Sequence, residues 1–356
     1  MLIFSLVNGA IMKIAIVGAG WYGCHIGVSL KKMGVDVKIF DQQSDVFSQA
    51  SSKNQNRLHL GFHYPRSYLT REQSRVGFQR FLSIYGEYCK PVLRNIYAVD
   101  NRRSLIDFET YIAIMKSAKL DFKEVDYPYH YFSNLDGFIE TDERVVDFSG
   151  VSKYFKNILN GQLVLGGKVE NSDIIESEKN VLVFNESFDY LINCTWGTFR
   201  PFDSVDIFYE PCISFLYAPQ EENNFALTVM DGKFISLYPY NDSLYSLTSV
   251  RYTPLARCDH FDGCEEIIES LNDVTILDLR SKFENEILYY YPRFLEKFSY
   301  YSYYTSIKSK LNVLNDCRQT LVERKGREIF VMPGKIDTIF QAEDKVMKFL
   351  FGVCDE

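Results

Sequence analysis

Three glycines and an aspartate stand at a spacing that suggests phosphate and ribose binding. Gly18, Gly20 and Gly23 form G-x-G-x-x-G, and Asp41 lies 18 positions after Gly23. In that order the glycines serve a tight turn, a close backbone approach to a pyrophosphate, and close helix–strand packing. An acid at that distance accepts a ribose hydroxyl and disfavours a 2′-phosphate, which points to FAD or NAD rather than NADP. Trp21 and Tyr22 inside the turn and Gln42 beside the acid belong to the same expected cofactor set. A second group offers proton transfer and anion binding. His59 and His63 titrate near neutral pH and are the expected acid/base residues. Arg57, Arg66, Arg71 and Arg75, with Tyr64, offer forks that suit a carboxylate or phosphate. Four arginines within nineteen positions of an acidic chain predict an anionic substrate.

These residues need particular elements to hold them. The apolar run Ile14–Val17 reads as a buried parallel strand. A helix pattern follows over about 22–33 and stops at Gly34. A second strand, Val35–Phe40, delivers Asp41. The helix N-terminus would present N–H groups and a positive dipole end to phosphates. The polar stretch Ser48–Asn56 reads as a loop whose Ser51, Ser52 and Asn54 could line a phosphate or a polar ring edge. Leu58–Tyr64 reads as a short extended segment, which would put His59 and His63 on one side. Thr70–Tyr85 reads as a helix with Arg71 and Arg75 sharing a face.

Further along, Ile96–Asp100 and Tyr129–Phe132 read as strands flanking a helix over 107–118. Phe148–Leu159 reads as a helix, and Val181–Phe184 and Tyr190–Asn193 as strands. Between residues 208 and 252 the pattern is all-β, with strands at Cys212–Ala218, Ala226–Met230, Phe234–Pro239 and Tyr245–Ser249. Helical stretches at Glu265–Leu271 and Val274–Lys282 precede a tyrosine-rich run, Tyr289–Tyr304, read as core and sheet surface. A last strand, Ile329–Val331, a turn at Met332–Lys335 and a terminal helix over 337–350 close the chain.

With 356 residues the chain can bury a large core and is expected to hold two domains. Its net charge of −8 argues against a general nucleic-acid binder. Eight cysteines without paired spacing read as reduced thiols of a cytoplasmic protein. Cys258, His260 and Cys264 lack a second ligand pair, and no metal is expected. The apolar leader, residues 1–11, is too short to span a bilayer and reads as an extension before Met12. No membrane partner is expected, and the oligomeric state is left open.

Four segments together resemble the D-amino-acid-oxidase-like superfamily of FAD-dependent oxidoreductases: GAGWYG with Asp41, ASSKNQNRLHLGFHYP, DYLINCTWG, and REIFVMPGKIDTIF. The resemblance implies FAD as cofactor. It adds Arg57, Leu58, Val169, Cys194, Thr195, Trp196, Gly334, Lys335, Ile336 and Asp337 to the cofactor-binding set. Cys194-Thr195-Trp196 stands where small residues are usual, and Gly334-Lys335 replaces Gly-His. The family's Tyr-plus-Arg carboxylate clamp is not found, which puts amino-acid oxidation in doubt. The HLGFHYPRS and PGKID stretches are similar to a bacterial subgroup associated with surface-polysaccharide gene clusters.

The expected fold is α/β, a Rossmann-like FAD-binding domain with a mainly antiparallel β substrate domain. The FAD domain is expected at 12–75, 145–205 and 310–356, and the substrate domain at 76–144 and 206–309. The expected function is oxidation of a C–N or C–OH bond of a small polar, anionic metabolite, a carbohydrate derivative being one candidate. Lys335, at a helix start, would stabilise negative charge on the flavin and counts with His59 and His63 as catalytic. The alternatives are a flavin-dependent sugar mutase, an NAD-dependent dehydrogenase and a non-catalytic flavin-binding protein.

Overall fold

A computed structural model describes residues 6–7, 10–126, 131–201, 204–221, 225–312 and 320–352. The chain divides into two compact units, with boundaries after Ser52, Asp147, Ile207 and Cys317. Residues 53–75, expected with the dinucleotide half, belong to the second unit instead. The reason is local pairing. Arg57–Leu58 is a two-residue strand bonded to Arg144–Val146, and Asn56 Nδ2 donates to the Tyr240 carbonyl at 2.9 Å.

The first unit holds a six-stranded sheet in the order Leu163–Leu165, Asp36–Asp41, Lys13–Val17, Tyr190–Asn193, Glu328–Met332 and Leu321–Lys325. All neighbours are parallel except the last two, which form an antiparallel hairpin. Four of the five Lys13–Val17 residues are buried, as expected for a central parallel strand of β-branched residues. Asp36–Asp41 and Tyr190–Asn193 flank it on opposite sides, so the turn at its carboxyl end sits where a doubly wound sheet opens a ligand crevice. Helix Trp21–Lys32 follows that turn. It is tied to the terminal helix Ile339–Phe351 by His25, whose Nε2 lies 3.0 Å from Glu343 Oε2 and whose ring packs edge-on against Phe340. The strands Leu163–Leu165 and Leu321–Lys325 are short edge pieces that the apolar pattern did not reveal.

The second unit is built on an eight-stranded sheet: Phe298–Leu311, Ile207–Pro219, Tyr245–Ser249, Ile235–Pro239, Ala226–Met230, Asn95–Asp100, Leu135–Thr141 and Phe122–Glu124. Pairing is antiparallel from Ile207–Pro219 to Ala226–Met230 and from Asn95–Asp100 to Phe122–Glu124. Ala226–Met230 and Asn95–Asp100 run parallel. Period-two alternation sorts these strands into two faces. Ile96, Ala98, Leu227, Val229, Ile235 and Leu237 join an apolar core with Phe283 and Ile287 of helix Asp273–Tyr290. Tyr97, Thr228 and Ser236 are buried on the other face and stand side by side in register across three strands. The tyrosine run is divided: Tyr289 and Tyr290 end that helix, and Tyr300, Tyr301 and Tyr303 lie exposed on Phe298–Leu311. Of the expected strand Tyr129–Phe132, Tyr129 and His130 lie outside the described residues, and Tyr131 and Phe132 are not in a strand. Among the described residues no helix is long and apolar enough to cross a membrane.

Candidate active site

The candidate residues fall into two sets, one in each unit. In the first unit the glycine turn is shaped by backbone requirements. Gly18 has φ +106°, and a Cβ there would lie 2.6 Å from the Cys194 carbonyl oxygen. Its N–H donates to the Phe40 carbonyl, and Cys194 N–H to the Val17 carbonyl, so three strand ends converge on the turn. A Cβ on Gly23 would lie 1.9 Å from the Gly18 carbonyl oxygen, and one on Gly20 2.8 Å from Ser51 Oγ. Ser51 Oγ accepts the Trp21 N–H at 3.1 Å. The helix start at Gly20 carries no side-chain cap and no acid in its first turn, which leaves its dipole end suited to an anion. This cradle, closed by backbone to a side chain at Gly18 and Gly23 and positive at its helix end, fits the pyrophosphate of a dinucleotide.

Asp41 sits at the end of its strand as expected, and both carboxylate oxygens already accept backbone N–H groups: Oδ2 from Ala19 at 2.6 Å, Oδ1 from Gln43 at 2.8 Å. Gln42 is exposed beside it, and Ser52 Oγ donates to the Phe47 carbonyl. Trp21 stacks on Phe47 and meets Phe148 and Phe155 edge-on, so its ring is part of the unit's aromatic packing. Tyr22 acts as a tie. Its hydroxyl donates to the Lys335 carbonyl at 2.5 Å, lies within 3.0 Å of Thr320 and Thr338 Oγ1, and accepts the Gly334 N–H at 3.2 Å. Burial pushes this phenol up to about 12, against the lowering effect of the threonine hydroxyls. The tie brings Gly334, Lys335 and the turn Ile336–Thr338 to the glycine helix. Lys335 is half-buried and Asp337 fully buried.

Asn193 shapes the Cys194–Gly197 turn. Its Oδ1 accepts from Thr195 N and Oγ1, and its Nδ2 donates to the Phe199 carbonyl. Trp196 takes a left-handed backbone, φ 51°, and is only half-buried, which accommodates its bulk. Val169 lies in the unit's apolar core rather than on a polar surface.

The second set gathers around Arg57. Its guanidinium lies across the registered row: Nη1 donates to Tyr97 Oη at 3.0 Å and Thr228 Oγ1 at 2.9 Å, and Nη2 to Ser236 Oγ at 2.8 Å. The Tyr238 ring centroid is 3.6 Å from its Cζ. With a side-chain exposure of 1%, Arg57 is enclosed, not presented to a ligand, in contrast to its expected role. Its counter-charge is Glu143, fully buried, with Oε2 3.7 Å from Nη1. Glu143 Oε2 also accepts from Tyr97 Oη at 2.7 Å, and Oε1 from the Leu60 N–H at 2.9 Å. Burial alone would raise this carboxyl, but His59, Arg57 and the Tyr97 hydroxyl hold it down at about 2. Glu143, Tyr97, Thr228 and Ser236 carry no local motif, and only the tertiary register brings them together.

His59 and His63 do meet, with ring centroids 4.8 Å apart. The segment that joins them is not extended: only Arg57–Leu58 is a strand, and the chain then turns at Gly61, φ +118°. His59 Nδ1 is 3.7 Å from Glu143 Oε1, and His63 Nδ1 is 2.8 Å from Tyr97 Oη. The nearest ligand atoms of His59, His63 and Glu143 lie within 4.8 Å of one another, a spacing that would admit a metal ion. The Arg57 Nη1 atom 3.3 Å from His63 Nδ1 places a fixed positive charge against the same atoms, which disfavours a divalent cation there.

The other arginines have partners within the chain, two of them carboxylates. Arg66 pairs with buried Asp231 at 3.0 Å, and Arg75 with Glu72 at 2.9 Å. Arg71 Nη1 donates to the Tyr64 and Pro65 carbonyls, both at 2.6 Å, and so holds the loop that carries His63. Leu58 is fully buried, Asn54 Oδ1 accepts the Asn56 N–H, and Tyr64 is half-buried. Of the cysteine–histidine group, Cys264 is buried while His260 is exposed at the start of its helix.

Comparison with known proteins agrees with this geometry. A family model described as an NAD(P)-binding Rossmann-like domain matches residues 16–81. Glycine oxidase from Geobacillus kaustophilus superposes with a TM-score of 0.74, covering 97% of this chain and 96% of that one at 14% identity. The FAD-bound L-α-glycerophosphate oxidase from Mycoplasma pneumoniae gives 0.73, with 96% and 95% covered at 13% identity. These establish the fold. In sequence, the FAD-dependent monooxygenase FPY4 of Fusarium mangiferae is 38% identical over 339 residues, 95% of this chain and 91% of that protein. At that identity over nearly the full length of both, the chain belongs to the family of FAD-dependent oxidoreductases that includes FPY4, built on the D-amino-acid-oxidase-like fold with FAD as cofactor.

Proposed function

We propose that the protein oxidises a C–OH or C–N bond of a small polar metabolite, with the FAD pyrophosphate on the Gly18–Gly23 turn and His63 as proton acceptor. The observation that carries this reading is the turn itself, where backbone leaves no room for a side chain at Gly18 and Gly23 and the N-cap Gly20 supplies no side-chain cap. Asp41 and Ser51 would hold the adenosine half and the phosphates, and Cys194, Thr195 and the Gly334–Asp337 turn would border the rest. Bound FAD supplies a two-electron acceptor. The chain supplies orientation and a site for the substrate's O–H or N–H proton. Positioned proton transfer of this kind is worth about 10²–10⁴-fold in rate.

Glu143, Asp231 and Glu72 pair with Arg57, Arg66 and Arg75, which weakens the case for an anionic substrate, while Arg71 is met by neutral loop carbonyls. A neutral or zwitterionic substrate fits this charge balance, and carbohydrate derivatives fall in that class. Six described cysteines are free thiols, in keeping with the reducing, cytoplasmic setting included in this proposal. The test is anaerobic mixing of the holoprotein with amino acids, amino sugars, polyols and nucleotide sugars while the flavin absorbance is followed. Bleaching by one class supports the reading; bleaching by none of them, in protein that dithionite reduces normally, counts against it.

A second reading is oxygen insertion, favoured by the name of the 38% identical relative. Turnover under ¹⁸O₂ separates the two: label in the organic product means monooxygenation, and its absence means simple oxidation.

A further inference from the structure

We infer that Tyr97 and Glu143 fix His63 in the tautomer that carries its proton on Nδ1, which makes Nε2 the basic nitrogen of its ring. The use made of that nitrogen rests on the oxidoreductase reading above; the tautomer does not.

The Tyr97 hydroxyl has one proton to give and two lone pairs to offer. Three groups lie within hydrogen-bond reach of it: Glu143 Oε2 at 2.7 Å, His63 Nδ1 at 2.8 Å and Arg57 Nη1 at 3.0 Å. Glu143, held ionised by its neighbours, can only accept, so it takes the phenolic proton. Arg57 can only donate, and fills one lone pair. The remaining lone pair faces His63 Nδ1, which must therefore be a donor.

Arg57 offers no alternative, although its Nη1 is 3.3 Å from His63 Nδ1. Nη1 carries two protons, and its two shorter contacts, Tyr97 Oη at 3.0 Å and Thr228 Oγ1 at 2.9 Å, claim them ahead of the 3.3 Å contact. A bare Nδ1 would face a phenolic oxygen whose proton is already committed. The groups around the His63 ring include Arg57, His59, Tyr64, Tyr97 and Phe234, with Glu143 behind Tyr97. The order of the relay is thus His63 Nδ1–H to Tyr97 Oη–H to Glu143 Oε2.

The consequence for chemistry is specific. Bound FAD would accept hydrogen with its electron pair from a substrate carbon, and the O–H or N–H proton of the group oxidised to C=O or C=N would then need an acceptor. A proton that reaches the His63 ring would add at Nε2, while Nδ1 keeps its own. Tyr97 and Glu143 are positioning residues: they hold the ring's orientation and tautomer, and stabilise the imidazolium through the phenol.

The test is nitrogen-15 NMR of histidine-labelled holoprotein near neutral pH, with the His63 signals assigned by their loss in His63→Gln. Two-bond couplings report which ring nitrogen is protonated. The expected result is Nδ1–H for His63 in wild type, and a shift of the population towards Nε2–H in Tyr97→Phe. The wild-type spectrum is sufficient by itself if the variant folds poorly. Nε2–H in wild type overturns the inference. If Nδ1–H is found and no substrate reduces the flavin, the oxidoreductase reading fails and the tautomer assignment stands. If substrate reduces the flavin and Nε2–H is found, the reverse holds.

Discussion

Asp41 Oδ2 accepts the backbone N–H of Ala19 at 2.6 Å, so the acid expected to bind a ribose also clamps the glycine turn. Asp41→Ala should therefore lower the stability of the apoprotein as well as its affinity for FAD. Hydrogen bonds to a charged acceptor are worth about 1.5–3 kcal/mol, and that is the loss expected in urea unfolding without cofactor. Asp41→Asn keeps one oxygen acceptor and should recover part of it. Unchanged apoprotein stability in Asp41→Ala would mean that the clamp contributes nothing.

The glycines at 18 and 20 should respond differently to alanine. At Gly18 the new Cβ meets backbone, the Cys194 carbonyl, in a left-handed conformation; at Gly20 it meets the rotatable Ser51 hydroxyl. Gly18→Ala is expected to cost on the order of 1–3 kcal/mol from backbone strain alone. Gly20→Ala should fold close to normally and lose FAD affinity instead. Thermal unfolding of both apoproteins checks the contrast, and equal losses would contradict it.

Acid should unfold the second unit partly through Glu143. Its folded value of about 2 lies below the ordinary 4.5, so the unfolded chain binds this proton more tightly. Glu143 therefore stabilises the fold above about pH 4.5, by about 3 kcal/mol, and that contribution is lost as the pH falls towards 2. In Glu143→Gln the Arg57 charge loses its buried counter-charge, and stability at neutral pH should drop by about 3–5 kcal/mol. The variant's stability should also change less with pH across the acid range. Parallel pH profiles for wild type and variant would contradict this.

Arg71 and Arg75 share a helix and had the same role in the sequence reading, yet the structure separates them. Arg71 supplies two loop carbonyls with their donor, while Arg75 makes a half-exposed i,i+3 pair with Glu72. Arg71→Met should cost about 1–3 kcal/mol and slow flavin reduction by loosening the His63 loop. Arg75→Met should stay within about 0.5 kcal/mol and leave reduction unchanged. Loss of substrate affinity in Arg75→Met alone would revive the anion clamp.

The cofactor half was legible because its signals are local. The run Ile14–Val17, three glycines and Asp41 each constrain neighbours a few residues away, and the strand–turn–helix followed. The unit boundary at Ser52 was not legible, because Arg57–Leu58 is captured by Arg144–Val146, some 85 residues downstream. His59 and His63 could be named from their chemistry. What orients them could not, because Tyr97, Thr228 and Ser236 become neighbours only through a three-strand register that includes a parallel pair amid antiparallel ones. The partners of Arg57, Arg66 and Arg71 were hidden for the same reason: Glu143 and Asp231 are distant in sequence, and Arg71 meets backbone carbonyls; the Glu72 partner of Arg75 is local and could have been read from the i,i+3 spacing.

The central claim, FAD on the Gly18–Gly23 turn, is tested most directly by the flavin content of purified wild type and Gly20→Val. The account predicts yellow wild-type protein that releases FAD in stoichiometric amount on denaturation, and a folded, colourless Gly20→Val. Wild-type FAD content in the folded variant, or wild-type protein that does not take up FAD, would contradict it.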